Sequence, residues 1–267
     1  MLTDHTSTQA GQNSQAAVLA TGLTRRFGDF IAVDRIELNV PRGSFFGFLG
    51  PNGAGKSTTI KMLTGMLAPT SGSISILGHD LAADPLTVKR LIGVVPEDLN
   101  LFERLTGPEF LTFVGRMHEL DRHVVATRTT ELLRLMELED KPRALLVEYS
   151  HGMRKKISLA AALIHNPQVL FLDEPFEGVD AVAARTIKSL LERMRGRGVT
   201  IFLTSHILEI VERLCTDIAV INEGRIVGAG SLNELRDSAG TTLEDYFVQL
   251  VGGERLTAET LSWIGQV

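Results

Sequence analysis

The chain has 267 residues, 44% of them apolar and 22% charged, with a net charge of −5 at neutral pH. That length admits one large domain, or one domain with an inserted lobe, and the apolar share is enough for a sizeable core. No block of like charge occurs, which argues against a nucleic-acid platform; the single cysteine, Cys215, excludes an internal disulfide and fits a reducing compartment.

Met1 to Gln15 is polar, with neither a basic start nor an apolar centre, so residues 1–16 are expected to be a disordered tail rather than a secretory signal. Ala17 to Leu23 and Ile31 to Val40 are predicted strands. In the second, Ile36, Leu38 and Val40 alternate with Arg35, Glu37 and Asn39, the period of a half-buried antiparallel strand. Pro41-Arg42-Gly43 turns the chain into the apolar run Ser44 to Leu49. Ser73 to Leu77 is a further strand, Thr87 to Leu91 a helix, and Ile92 to Val95 a strand stopped by Pro96.

From Glu97 the pattern turns helical. Gly107 to Leu120 and Val124 to Leu138 carry apolar residues at helical spacing, and Ser150 is placed as the N-cap of a helix running to about His165. The spacing predicts a helical lobe, about residues 97–165, inserted into a β-rich core. Gln168 to Asp173 and Val199 to Leu203 are apolar strands around a helix, Ala181 to Met194, that ends at Gly196. Ile207 to Leu214 is a helix, Ile218 to Ile221 a strand, and Glu223-Gly224 the turn of a hairpin. Strands alternating with helices predict a mainly parallel sheet with helices on both faces. The remainder, 231–267, reads as a helical extension, most clearly from Leu243 to Val251. No uninterrupted apolar run reaches membrane-spanning length, because Ile157 to Leu172 is broken by His165-Asn166-Pro167-Gln168. The chain is therefore expected to be cytosolic, with any membrane role coming through a partner.

Two stretches carry chemistry. Gly50-Pro51-Asn52-Gly53-Ala54-Gly55-Lys56-Ser57-Thr58 fits the phosphate-loop pattern between a strand and a helix. Glycines let successive N–H groups face one anion, and the helix start adds its positive dipole end. Lys56 would reach the β- and γ-phosphates and Ser57 a Mg²⁺ ion, so the pattern points to a nucleoside triphosphate. Val169 to Pro175 is an apolar strand that delivers Asp173 and Glu174 at its C-terminal end, where open α/β sheets bind ligands. A metal-holding carboxylate and a water-polarising one are what phosphoryl transfer to water requires.

With Tyr149-Ser150-His151-Gly152-Met153 and Thr204-Ser205-His206, these stretches resemble the ATP-binding cassette (ABC) ATPases, the nucleotide-binding subunits of ABC transporters, over about residues 17–230. The resemblance implies a P-loop NTPase fold: a mainly parallel sheet core, an N-terminal antiparallel β subdomain and the inserted helical subdomain. It implies ATP and Mg²⁺ as cofactors. Gly50 to Thr58 then match the Walker A loop, Asp173 the Walker B aspartate, Glu174 the general base and His206 the switch histidine. Ser150 and Gly152 match the signature loop, which in the family caps the nucleotide of the opposite subunit; Asp180 lies in the D-loop, and Phe27 sits where an aromatic stacks on adenine.

Three positions depart from the family pattern: His151 replaces a signature glycine, Glu97 stands at the Q-loop glutamine as a candidate Mg²⁺ ligand, and Phe176-Glu177 enlarge the D-loop. Leu99, Leu101 and Phe102 are either a grip for a membrane subunit or packing for the helical lobe. The overall spelling looks most like the ATPases of ABC-2-type exporters, which implies a homodimer of cassettes, a separate transmembrane permease, and a place at the cytoplasmic face of the membrane. The alternatives are a soluble ABC ATPase acting on ribosomes or DNA, a non-hydrolytic ATP-binding module and, more remotely, a P-loop kinase.

Overall fold

The computed structural model describes residues 16–239 and 242–252. The expected N-terminal tail, apart from Ala16, and the last part of the helical extension lie outside them. The chain opens with a hairpin, β1 (Ala16–Phe27) and β2 (Phe30–Pro41), whose register pairs Ala20 with Leu38, Leu23 with Ile36 and Phe27 with Phe30. Ile36, Leu38 and Val40 are buried and their neighbours Arg35, Glu37 and Asn39 exposed, as the alternation predicts. β4 (Ser71–Ile76) and β5 (His79–Asp80) complete an antiparallel sheet of order β2-β1-β4-β5.

The second sheet has the order β10-β9-β3-β8-β7-β6. It consists of β3 (Phe45–Leu49), β6 (Ile92–Val95), β7 (Val169–Leu172), β8 (Thr200–Ser205), β9 (Asp217–Asn222) and β10 (Arg225–Ser231). Every pairing is parallel except the β9–β10 hairpin. Strands buried on both faces read as continuous apolar runs, which is why β3, β7 and β8 carry no alternation.

Alternate residues of this sheet serve two separate cores. Phe45, Leu49, Leu170, Leu172, Ile201 and Leu203 face a helical layer. That layer is built from α3 (Gly107–Met117), α4 (Arg122–Leu135), α5 (His151–Leu163), α6 (Ala181–Arg195) and α7 (Leu208–Leu214). Phe46, Phe48, Val169, Phe171 and Phe202 face the other way, onto the antiparallel sheet with α1 (Lys56–Leu63) and α2 (Pro85–Leu91). Helices therefore lie on both faces, as expected, but in unequal shares. The second face is covered mainly by strands, because the β1–β2 hairpin presents a full row of buried apolar residues to it.

Between β6 and β7 the described secondary structure is helical apart from one isolated bridge, Thr106 to Leu145: α3, α4, a 3₁₀ turn at Leu146–Glu148, and α5. Ser150 caps α5, accepting the Met153 N–H at 3.3 Å. One turn signal differs. Gly196 keeps a right-handed backbone after α6, and Gly198 two residues later takes the left-handed one at φ +87°. Cys215 is buried just beyond α7, and burial pushes its thiol pKa up. The chain ends its described part in α8 (Leu232–Ala239) and α9 (Leu243–Val251). Among the described residues no helix is long and apolar enough to cross a membrane.

Candidate nucleotide site

The loop after β3 is held by backbone geometry that glycine alone tolerates. Gly53 and Gly55 sit at φ +80° and +109°. A Cβ on Gly55 would come within 2.7 Å of Ala32 O, and one on Gly50 would collide with Ile221 O. The loop is thus wedged between β2 and β9 and feeds α1 directly. The Lys56 side chain is buried beneath it, donating to Gly50 O at 2.8 Å and Pro51 O at 3.3 Å.

β7 delivers the carboxylates. Asp173 extends the β6 pairing through its N–H to Val95 O at 2.9 Å. Thr204 at the end of β8 then organises both acids. Its Oγ1 donates to Asp173 Oδ1 at 2.6 Å and accepts the Glu174 N–H at 2.9 Å. Glu174 is 5% exposed, with a positive φ of +45° that is uncommon outside glycine. Its Oε2 lies 3.1 Å from His206 Nδ1, while Oε1 makes no hydrogen bond and has the Lys56 ammonium at 3.5 Å.

Burial raises the Asp173 carboxyl above its ordinary range, and the charges of Glu97 and Glu174 push the same way against the hydrogen bonds from Thr204 and Ser57. Ser57 Oγ lies 3.1 Å from Glu97 Oε2 and 3.5 Å from Asp173 Oδ1. A serine hydroxyl and two carboxylates therefore converge beside the loop. These are the hard oxygen donors that Mg²⁺ takes together with phosphate oxygens. Among the described residues no group of three or more His, Cys, Asp or Glu side chains is placed to hold a metal ion by itself.

A cavity of about 290 Å³ opens over these groups, lined by Pro51 to Gly53 and Gly55 to Thr58 with Glu97, Glu174 and His206. Ala54 is buried behind it. Larger cavities exist, including one of about 540 Å³ between the two sheets, but it gathers none of this chemistry. At the open end of the nucleotide cavity the lining aromatic is Phe30, 65% exposed, and not its cross-strand partner Phe27. Phe27 is 47% exposed and carries the Arg25 guanidinium 4.5 Å above its ring.

Ser150, Gly152 and Asp180 form a second cluster that does not line this cavity. His151 Nε2 lies 3.2 Å from Glu177 O, and a Cβ on Gly152 would sit 3.2 Å from Asp180 Oδ2. Asp180 caps α6 by accepting the N–H groups of Val182 and Ala183 at 2.9 Å each. The α5 N-terminus and the D-loop are therefore packed against each other, with the His151 ring over Gly178. Leu99 and Leu101 pack partly on the helical core and also line a groove, while Phe102 stands exposed with its ring 5.0 Å from that of Phe113. Thr204, Phe30 and Glu177 join the site without having been assigned roles from the sequence.

Residues 33–177 match the ABC transporter family. The chain belongs to that family. It is 36% identical over 239 residues to a daunorubicin resistance ATP-binding protein of Streptomyces coeruleorubidus, an alignment covering 90% of this chain and 76% of the relative. It is 39% identical over 222 residues to a Nod factor export ATP-binding protein of a Rhizobium species, covering 83% and 73%. Among solved structures, an ATP-binding subunit of an ABC transporter superposes with a TM-score of 0.82 at 31% identity, covering 88% of this chain and 99% of that one. A dimeric ATP-binding cassette in a post-hydrolysis state, bound to ADP and Pi, superposes at 0.74 with 25% identity, covering 80% and 98%. The chain is accordingly an ABC cassette of the exporter group that binds and hydrolyses ATP.

Proposed function

We propose that two copies of this cassette close head to tail over two ATP molecules at the cytoplasmic face of a membrane, and that closure drives a separate permease subunit which exports a small molecule. The relatives named for daunorubicin resistance and for Nod factor export support the outward direction. The exposed Phe102 and the groove beside Leu99 and Leu101 offer the permease an apolar seat. In this reading the ATPase domain spans 17–230 with 97–165 as its inserted helical part, and 231–267 is an extension.

The loop Gly50 to Thr58 and the Lys56 ammonium take the triphosphate; Pro51 has no N–H and that of Ala54 is bound to Pro51 O, so the other amides of the loop serve. Phe30, which lines the cavity, gives the adenine an aromatic face, and Phe27, its cross-strand partner, would join it only where the Arg25 guanidinium leaves its ring. Ser57, Asp173 and Glu97 hold Mg²⁺, which when bound neutralises phosphate charge and orients the γ-phosphoryl group. Glu174 accepts a proton from the attacking water, and His206 keeps the carboxylate aimed. Ser150 and Gly152 of one copy cap the γ-phosphate held by the other, with Asp180 setting the position of that cap.

The observation that carries this reading is the placement of Glu174. It is a buried carboxylate flanked by an ammonium and an imidazole, next to a hydroxyl–carboxylate donor set. Replacing it by Gln keeps the shape and removes the base. Glu174→Gln protein should bind ATP as the parent does and turn over slower by about 10² or more. Turnover unchanged in that variant would remove Glu174 from the mechanism.

A further inference from the structure

Lys155 lies five residues into the α5 segment that starts at Ser150, and it is only 3% exposed. A buried ammonium needs acceptors. Those given to Lys155 are two main-chain carbonyls, Glu174 O at 3.2 Å and Glu97 O at 3.4 Å. Burial lowers its pKa, and the charges of Glu177, Asp173, Glu97 and Glu174 push back toward the ammonium form. Glu97 stands 3.1 Å from Ser57 and Glu174 3.5 Å from Lys56, and both line the cavity, so Lys155 reaches two of its walls from behind.

The contact matters most at Glu174. Its left-handed backbone, at φ +45°, is strained for a residue with a Cβ, and such conformations persist only when the surroundings over-determine them. The peptide groups on either side are both gripped: the Glu174 N–H by Thr204 Oγ1 and its C=O by Lys155. Thr204 belongs to β8, whereas Lys155 belongs to the helix whose N-terminus carries Ser150 and Gly152.

We propose that Lys155 is a positioning residue for hydrolysis: it fastens the backbone of Glu174 and of Glu97 to α5, so that the signature end of that helix and the hydrolytic carboxylate move as one body. The inference rests on the role of Glu174 argued above. Capping of a phosphate at Ser150 is then felt at Glu174 through a single rigid helix and one ammonium, without passing through solvent.

The test is steady-state ATP hydrolysis and binding of a fluorescent ATP analogue by purified Lys155→Met, Lys155→Arg and Glu174→Gln chains beside the parent. Lys155→Met should lower kcat by about 10- to 100-fold, the range that misplacement of a reacting group produces. Its affinity for the analogue should stay within about threefold, because the loop and Lys56 are untouched. Lys155→Arg, which keeps charge and several donors, should recover most of kcat. If Lys155→Met does not fold, Lys155→Gln, with one amide donor, takes its place with the same expectation. A kcat within twofold of the parent would overturn the proposal; so would a parallel loss of kcat and affinity that Lys155→Arg fails to repair, which marks a general structural role. The Glu174→Gln arm separates the two readings. If that variant turns over normally, the base assignment fails. If it is dead while Lys155→Met is active, only the positioning role of Lys155 fails.

Discussion

The phosphate loop and the N-terminus of α5 are both helix starts furnished with a hydroxyl and free amides, yet their cations are placed differently. At the loop, Lys56 is buried among the groups that line the cavity, with Glu174 beside it. At α5, the cations of the first two turns are turned inward: Arg154 donates to Tyr149 O and Val147 O, Lys155 to Glu174 O and Glu97 O, and Lys156 to Glu137. What remains outward there is Ser150 and His151, with Gly152 buried against Asp180, a surface that presents no lysine or arginine and has the partial charge of a helix end. The first region is equipped to hold a polyanion unaided. The second suits a phosphate whose charge is already largely matched by other groups, as the terminal phosphate of a bound nucleotide would be.

The largest expected effect comes from erasing the feature that separates the two regions. Lys56→Ala removes hydrogen bonds to a charged ligand, each worth about 1.5 to 3 kcal/mol, so ATP affinity should fall by about 10- to 100-fold. Turnover should drop by a further factor of about 10² to 10³, since a donor aimed at transition-state charge is lost too. Equilibrium binding and phosphate-release assays measure the two separately. Affinity equal to the parent's would mean that the loop amides suffice and that the contrast between the regions is misdrawn.

A smaller effect probes the second region. Ser150→Ala deletes one hydroxyl and should lower turnover by about tenfold while leaving ATP binding to the separate chains alone. Mixing sharpens the point. Under head-to-tail closure, a dimer of one Ser150→Ala chain and one Glu174→Gln chain contains one site with both defects and one with neither. The mixture should therefore hydrolyse ATP faster than the sum of the two variants assayed apart. Strict additivity would place Ser150 in the site of its own chain.

How far the residues announced all this differs by region for a physical reason. The phosphate loop is a local device, with glycine spacing, a lysine and a following helix within nine residues, so Gly50 to Thr58 are legible without knowing the sheet. Asp173 and Glu174 are legible as the polar end of an apolar strand. Thr204 is different: it matters because β8 lies between β3 and β7, an order that no periodicity records. Lys155 reads as one more charge on an amphipathic helix until α5 is laid against the backs of Glu97 and Glu174. Phe30 lines the cavity in place of Phe27, its Cα partner across the turn at residues 28 and 29, and the Phe27 ring is taken by the Arg25 guanidinium instead. Strand ends differ from the pattern for the same reason. β1 runs on to Phe27 because β2 offers it partners that far, not because residues 24–27 favour extended backbone by themselves.

The smallest effect concerns stability, and its sign separates a functional acid from a structural one. Asp173 is buried with its pKa raised above 3.8, burial being the largest cause. The folded chain thus holds this proton more tightly than the unfolded chain does. The contribution to stability is greatest below the unfolded value and is lost as pH rises through the folded one, so at neutral pH the ionised carboxylate is a burden. Asp173→Asn removes the charge while its amide oxygen can still accept from Thr204. In nucleotide-free protein with a chelator at neutral pH, the variant should gain about 1 kcal/mol, seen as a melting temperature higher by roughly 3 °C. The gain should vanish toward acid pH, where the parent carboxyl is protonated as well. With Mg²⁺ and ATP the order should reverse, since ligand binding stabilises the parent and not a variant that has lost a metal-holding oxygen. A variant that melts below the parent under both conditions would make Asp173 part of the scaffold, held for the hydrogen bond from Thr204. It would also leave Ser57 and Glu97, at the exposed rim of the cavity, as the remaining candidates for the metal.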